Sequence, residues 1–191
     1  MQYRYATRAD APAMAELFAA SHHDALTERQ RADQGFVQGS FDAAVLAAMA
    51  ADGSLLLADD GGRVAGLLAL SAPLSLPSAP PPVLALLDAQ DTLRWQGRPL
   101  SAARWLLYGP VVVDAADRGR GVARGLFTMA VRAATGRADA VVAFIESGNQ
   151  SSWRVHVDGF GMRPLGQVVA DTRSYHVVAA PIPPPLSPPS S

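Results

Sequence analysis

The chemistry in this chain is concentrated between Val111 and Leu126. An apolar run, Val111-Val112-Val113, leads through Asp114-Ala115-Ala116-Asp117 into Arg118-Gly119-Arg120-Gly121-Val122-Ala123, and then straight into a segment with helical periodicity. A helix N-terminus leaves four backbone N–H groups without intrahelical partners and carries positive partial charge, so it suits an anion. Gly119 and Gly121 let a bulky group approach the backbone, and the small Ala123 avoids crowding it. Arg118, Arg120 and Arg124 add charge for further phosphate oxygens. The pattern reads as a phosphate or pyrophosphate site on backbone amides, with arginine assistance.

Two common phosphate motifs are excluded. A P-loop needs a lysine after its glycines, and all 16 basic residues here are arginine. The dinucleotide fingerprint needs a third glycine where this chain has Arg124. The absence of lysine also removes Schiff-base catalysis, and the absence of cysteine removes thiolate nucleophiles, thiolate metal sites and disulfides.

The elements around this segment read as a mixed α+β order. Tyr3 to Thr7 is a short strand. A helix follows, with Asp10 as its cap, Pro12 in its first turn and Met14, Leu17 and Phe18 on its apolar stripe. Leu26 to Gly39 is polar and carries no legible element. A helix is expected from Asp42 to Ala51, with Val45, Leu46 and Met49 on one face. Two apolar runs, Leu55–Ala58 and Val64–Leu70, flank Asp59-Asp60-Gly61-Gly62 and form a hairpin. Pro73 to Pro82 is a Pro- and Ser-rich surface excursion, followed by a helical stretch from Val83 to Leu93. Then come a strand at Trp105–Val113, a helix at Gly121–Thr135 and a buried strand at Ala140–Ile145. A short helix at Ser151–Val157 and a hairpin of Pro164–Val169 with Ser174–Ala179 complete the order. Residues 1–180 are expected to form one domain, and residues 181–191 a disordered Pro/Ser tail.

The signature of Gln or Arg, two residues, Gly, one residue, then Gly or Ala is met by Arg118, Gly121 and Ala123. Behind it stand Asn149-Gln150-Ser151-Ser152, then Trp153-Arg154-Val155-His156, then Gly159-Phe160. The opening Tyr5-Ala6-Thr7-Arg8-Ala9-Asp10 and the closing Arg163-Pro164-Leu165-Gly166 and Tyr175-His176-Val177-Val178 complete the pattern. On these motifs, over nearly its whole length, the chain resembles the GNAT superfamily of N-acetyltransferases. The resemblance implies a mostly antiparallel central sheet flanked by helices and splayed between its fourth and fifth strands. It implies acetyl-CoA as acyl donor, with direct transfer to an amine on a small molecule, peptide or protein. The backbone of Val111, Val112 and Val113 would pair with the pantetheine arm and offer an N–H to the thioester carbonyl. The pyrophosphate would lie on Arg118, Gly119, Arg120, Gly121, Val122, Ala123 and Arg124.

Three further residues are candidates on the same resemblance. Asn149 either meets the pantetheine or caps the helix that follows it. His156 stands where the family places a tyrosine as general acid, and the distance from Asn149 to Gly159-Phe160 is one residue shorter than the commonest pattern. Histidine can protonate a thiolate near neutral pH, and it can equally be a surface residue. Glu146, just after the fifth strand, is placed to receive the amine proton directly or through water. Tyr108, before Gly109-Pro110 where the strand is expected to kink, belongs either to the site wall or to sheet packing.

Composition bounds the rest. The formal net charge is -1 over 191 residues, so no global field draws the chain to nucleic acid or an anionic membrane. No apolar run is long enough for a bilayer, and no secretory h-region follows Met1, so a cytoplasmic protein is expected. His22-His23-Asp24 lacks a third ligand at a recognisable spacing and is not read as a metal site. Trp95, Trp105 and Trp153 read as packing. A homodimer through sheet edges is left open. The alternative to an enzyme is a non-catalytic acyl-CoA-binding protein on the same fold.

Overall fold

The computed structural model describes residues 1–37, 41–73 and 79–184. Seven strands form the main sheet: β1 (Gln2–Tyr5), β2 (Leu55–Asp60), β3 (Arg63–Ser71), β4 (Trp105–Val113), β5 (Ala140–Glu146), β6 (Arg163–Ala170) and β7 (Arg173–Pro181). Their spatial order is β1-β2-β3-β4-β5-β7-β6. Every neighbouring pair is antiparallel except β4 and β5, which run parallel. Six α-helices occur among the described residues: α1 (Ala11–Ala20), α2 (Glu28–Gln34), α3 (Ala43–Ala51), α4 (Pro81–Ala89), α5 (Val122–Ala134) and α6 (Gln150–Trp153).

The sheet opens in its middle. The parallel ladder pairs Trp105 with Ala140, Leu106 with Val141 and Leu107 with Val142, and stops there. At that point β4 carries a cis peptide between Gly109 and Pro110, and its pairing with β3 shifts register between Leu68 and Leu70. Pro110 has no N–H to give a ladder. From Tyr108 onward β4 stays with β3 while β5 stays with β7, so the two parallel strands part as the sequence led one to expect.

Packing fixes α5 over this opening. Leu126, Ala130 and Ala134 are fully buried on one side of the sheet, beside Leu56, Leu68 and Val141. Gly66 of β3 permits the approach: a Cβ there would stand 2.9 Å from the Val112 carbonyl oxygen and 3.0 Å from Val122 Cγ1. Gly125 does the same for Tyr3, whose ring occupies the space of a Cβ. The opposite face is closed by α4 over β6, around Leu86, Trp95 and Val177, and by α1 and α3 around Met14, Phe18 and Leu46.

Several local expectations are corrected. Asp10 does not cap α1 with its carboxylate, which instead takes two hydrogen bonds from Arg4 at 2.8 Å and closes a capping box on Thr7. Leu26 to Gly39 contains α2, a helix polar but for Ala32 and with no apolar stripe to betray it, capped by Thr27 and Gln30. Val45 faces solvent at 43% exposure while Leu46 is buried. The helix expected to reach Leu93 spans Pro81–Ala89, and a two-strand ribbon of Arg94–Trp95 with Arg98–Pro99 follows it, turning at Gln96 and Gly97, both at positive φ. The helix after Asn149 begins at Gln150 and widens into a π-helix at Arg154–Gly159. The last strand takes in Pro181, and Ile182 is buried with its N–H bonded to the Asp139 carbonyl, so the fold runs past residue 180. Residues 185–191 of the expected tail, and residues 74–78 of the Pro73–Pro82 excursion, lie outside the described residues.

Candidate active site

The parted strands floor a trough of two joined cavities. One, of about 550 Å³, extends from Val111–Val113 to the N-terminus of α5. The other, of about 500 Å³, runs between β4 and β5 toward Glu146, Arg173 and Tyr175. Both are lined by Phe36, Val37, Val111, Asn149, Ser152 and His156, so these six residues form the junction.

The first cavity ends on an exposed helix start. α5 is the longest helix among the described residues, yet its N-cap is Gly121 at φ 81°, with no side-chain hydrogen bond to the first turn and no acidic residue there. By contrast α3 and α6 are capped by Asp42 and Asn149. Uncapped amides beside open space are what an anion needs. Gly119 and Gly121, both at positive φ, have no heavy atom within 4 Å of where a Cβ would stand.

The three arginines of this region have different tasks. Arg118 lines the cavity, and its Nη1 is buried without a hydrogen-bond partner. Burial pushes the Arg118 pKa down from the ordinary arginine value, with Asp114 opposing the shift. An unpartnered, partly desolvated guanidinium is costly unless an anion joins it. Arg120 does not line the cavity: its guanidinium pairs with the fully buried Asp117 and lies 3.9 Å from Asp60. Arg63 meets Asp117 from the other side at 2.7 Å and holds its carboxyl below the usual range. Arg120 therefore braces the turn before α5. Arg124 lines the cavity but also donates from Nη2 to the Gly159 carbonyl at 2.8 Å and lies over the Phe160 ring, tying α5 to the end of the π-helix. Arg154, which the sequence pattern did not single out, lines the same cavity from that helix.

At the junction Asn149 is 6% exposed and engaged at both ends of its amide. Oδ1 accepts the Ser152 N–H at 3.1 Å, and Nδ2 donates to the Phe36 carbonyl at 3.0 Å. It is thus the cap of α6 and a tether for the segment after α2. His156 is buried, with Nδ1 2.8 Å from the Ser152 carbonyl oxygen. A carbonyl only accepts, so Nδ1 carries the proton and Nε2 of the neutral ring is an acceptor. Desolvation lowers the His156 pKa, opposed by the bond to Ser152. The surface reading of His156 is excluded by its burial. A neutral imidazole in this tautomer accepts a proton rather than giving one from Nε2, which alters the general-acid role expected for it.

The second cavity has an acidic cast. Glu146 lines it, 3.4 Å from Arg173, and Asp24 and Asp171 line it as well. His22 and His23 also line it, and His23 Nδ1 is 2.8 Å from Asp24 Oδ1. Among the described residues no group of three or more His, Cys, Asp or Glu is arranged to hold a metal ion. Tyr108 is both wall and packing: it lines this cavity, and its ring packs edge-on against Phe127 and His156. Trp95 and Trp105 are buried in the core, and Trp153 packs on His176. No helix of the described residues is long and apolar enough to cross a membrane.

No protein-family model and no curated protein matches this sequence significantly. Solved structures do match the fold. A Salmonella typhimurium protein described as an acetyltransferase with its cofactor acetyl-CoA is 20% identical, with a TM-score of 0.62 over 100% of this chain and 99% of its own. A ribosomal-protein-alanine N-acetyltransferase from Brucella melitensis is 20% identical, with a TM-score of 0.61 over 95% and 99%. A GNAT-family acetyltransferase from Streptococcus agalactiae is 13% identical, with a TM-score of 0.64 over 94% of each chain. Strand order, the parted parallel pair and these likenesses agree: the chain has the GNAT N-acetyltransferase fold.

Proposed function

We propose that this chain is an acyltransferase that moves an acetyl group from acetyl-CoA directly to an amine. The observation that carries the reading is the buried, unpartnered Arg118 Nη1 beside the uncapped start of α5, at one end of a trough that continues under the parted strands. Arg118, with the amides of Val122, Ala123 and Arg124, would hold the pyrophosphate, and the gap-facing edge of Val111–Val113 the pantetheine arm. Bound there, acetyl-CoA supplies a thioester, an acyl group that an amine can take without a covalent enzyme intermediate.

The chain's own residues then divide the work. Asn149 holds the junction in shape rather than offering its amide to the ligand, since both ends are already bonded. His156 Nε2 is the proton acceptor closest in chemical character to the task, a neutral imidazole kept neutral by burial. Glu146, Asp24 and Asp171 outnumber Arg173 around the second cavity, a balance that favours a cationic amine over an anionic acceptor.

Calorimetric titration with acetyl-CoA, against ATP and NAD as controls, tests the cofactor half. Saturable binding of acetyl-CoA alone is expected, and its absence would remove the reading. Release of free thiol on adding amines to the bound protein separates an enzyme from a protein that only binds acyl-CoA.

A further inference from the structure

Two neighbouring histidines on the second cavity are held in opposite tautomers. His22, His23 and Asp24 lie between α1 and α2 and line that cavity together with Glu146 and His156. His23 Nδ1 is 2.8 Å from Asp24 Oδ1. A carboxylate only accepts, so Nδ1 carries the proton and Nε2 of the neutral ring keeps its lone pair. His22 is set the other way: its Nδ1 accepts the Asp24 backbone N–H at 3.3 Å, so its neutral ring carries the proton on Nε2. The bond from His23 holds the Asp24 carboxyl below its ordinary value, which makes Asp24 a carboxylate at neutral pH. The His23 ring stands edge-on to Phe36, centroids 5.0 Å apart at 78°, and the His23 backbone N–H gives to the Val37 carbonyl at 3.0 Å. The ring is fixed but not sealed, with 27% of the side chain exposed. Among the described residues no group bonds to its Nε2. The other charges on this cavity are Glu146, Asp171 and Arg173, and Glu146 already takes a bond from Arg173.

We infer that His23 is a second catalytic base, which takes the first proton from the acceptor's ammonium, and that Asp24 positions it for that step. The inference rests on the acyl-transfer reading. An amine entering a cavity with an excess of carboxylates enters as its ammonium, which has no lone pair to attack with. Two protons must leave that nitrogen before the amide is complete, and one imidazole does not hold both. His23 Nε2 takes the first, and the freed lone pair forms the N–C bond to the thioester carbon. As the C–S bond breaks with its electron pair on sulfur, the second proton passes to His156 Nε2. Sulfur takes a proton from solvent, and the two imidazolium rings return theirs to it. Asp24 keeps the proton on Nδ1 and Nε2 free, and its charge favours the imidazolium that forms.

The test uses the full chain and acetyl-CoA at neutral pH. Alkylamines, which are ammonium ions there, are set beside β-fluorinated counterparts of nearly the same shape, which are largely neutral. His23→Gln keeps a side chain of similar reach and removes the base. Its kcat/KM for alkylamines should fall roughly 100-fold, the lower end of what general-base catalysis contributes, and that for the fluorinated amines by less than about threefold. Asp24→Asn releases His23 into the other tautomer, so alkylamines should lose at least roughly tenfold while the fluorinated amines are again spared. Comparing the two classes of amine within one variant cancels any difference in folded fraction. The calorimetric affinity of His23→Gln for acetyl-CoA should match wild type. Equal losses for both classes, no loss in either, or a lowered affinity for acetyl-CoA overturns the role of His23. Wild-type behaviour of Asp24→Asn overturns the positioning role of Asp24. Wild type that fails to bind acetyl-CoA, or binds it and acetylates neither class, overturns the acyl-transfer reading and this inference with it.

Discussion

The amide of Asn149 joins the start of α6 to Phe36, 113 residues earlier in the chain. Its Oδ1 takes the Ser152 N–H while its Nδ2 gives to the Phe36 carbonyl, so one side chain caps a helix and fastens the segment that roofs the junction. Gly35 is shaped to this contact: it sits at φ 70°, and a Cβ there would stand 3.0 Å from Asn149 Oδ1. The same segment is held from below by the His22–Val37 bridge and by Arg31, which donates to the His23 and Leu26 carbonyls.

Two substitutions separate the halves of that contact. Asn149→Ala removes the cap and the tether, about 1 kcal/mol each. At roughly 2–4 °C per kcal/mol for a chain of this size, its melting temperature should fall by about 4–8 °C. Asn149→Ser restores a capping oxygen but does not reach Phe36, so it should recover about half of the loss. Equal melting temperatures for the two variants would show that the cap contributes nothing.

Arg118 and Arg120 are two residues apart and should behave in opposite ways. Arg118→Ala removes a partly desolvated cation whose Nη1 bonds to no protein group, so the free protein should lose little stability, while affinity for acetyl-CoA falls roughly 10- to 100-fold, the range of charge-assisted hydrogen bonds. Arg120→Ala strips a partner from buried Asp117 and should lower the melting temperature, with affinity changed by less than about threefold. Calorimetry and thermal melts on both proteins check this. Equal loss of affinity in the two would return Arg120 to the binding site.

What the sequence made legible is local. The run from Val111 to Ala123 carries its own strand, glycines and helix start in order, and the capping role of Asn149 follows from the helix after it. What it hid depends on partners far away. Arg118 and Arg120 look alike until Asp60 and Asp117 claim one of them. α2 has a capping box but no apolar stripe, because its anchoring is through Arg31 and the loop behind it. The unpaired hydroxyl of Tyr108 has no signature at all: only the arrangement of Phe127, His156 and the parted strands isolates it.

His156 gives the pH dependence its sign. Its ring is buried between Tyr108 and Phe160, centroids 5.6 and 5.4 Å away, and among the described residues its hydrogen bonds go to Ser152, with no carboxylate among them. Burial therefore sets its folded pKa below 6.5, the ordinary value. The neutral, proton-accepting form predominates above about pH 6.5 and is lost as pH falls through the lower folded value. Amines titrate too, so the informative quantity is the ratio of kcat/KM for wild type to that for His156→Gln, in which the substrate's ionisation cancels. That ratio should level off toward neutral pH and fall in acid, with its midpoint below 6.5. The same group links pH to stability. The unfolded chain binds this proton more readily than the folded one, so wild type should lose stability as pH drops from about 6.5 toward the folded pKa, and His156→Gln should lack that component. A ratio independent of pH would take His156 out of the proton transfer. A midpoint above 7 would mean that a charge the structure does not place beside the ring stabilises the imidazolium.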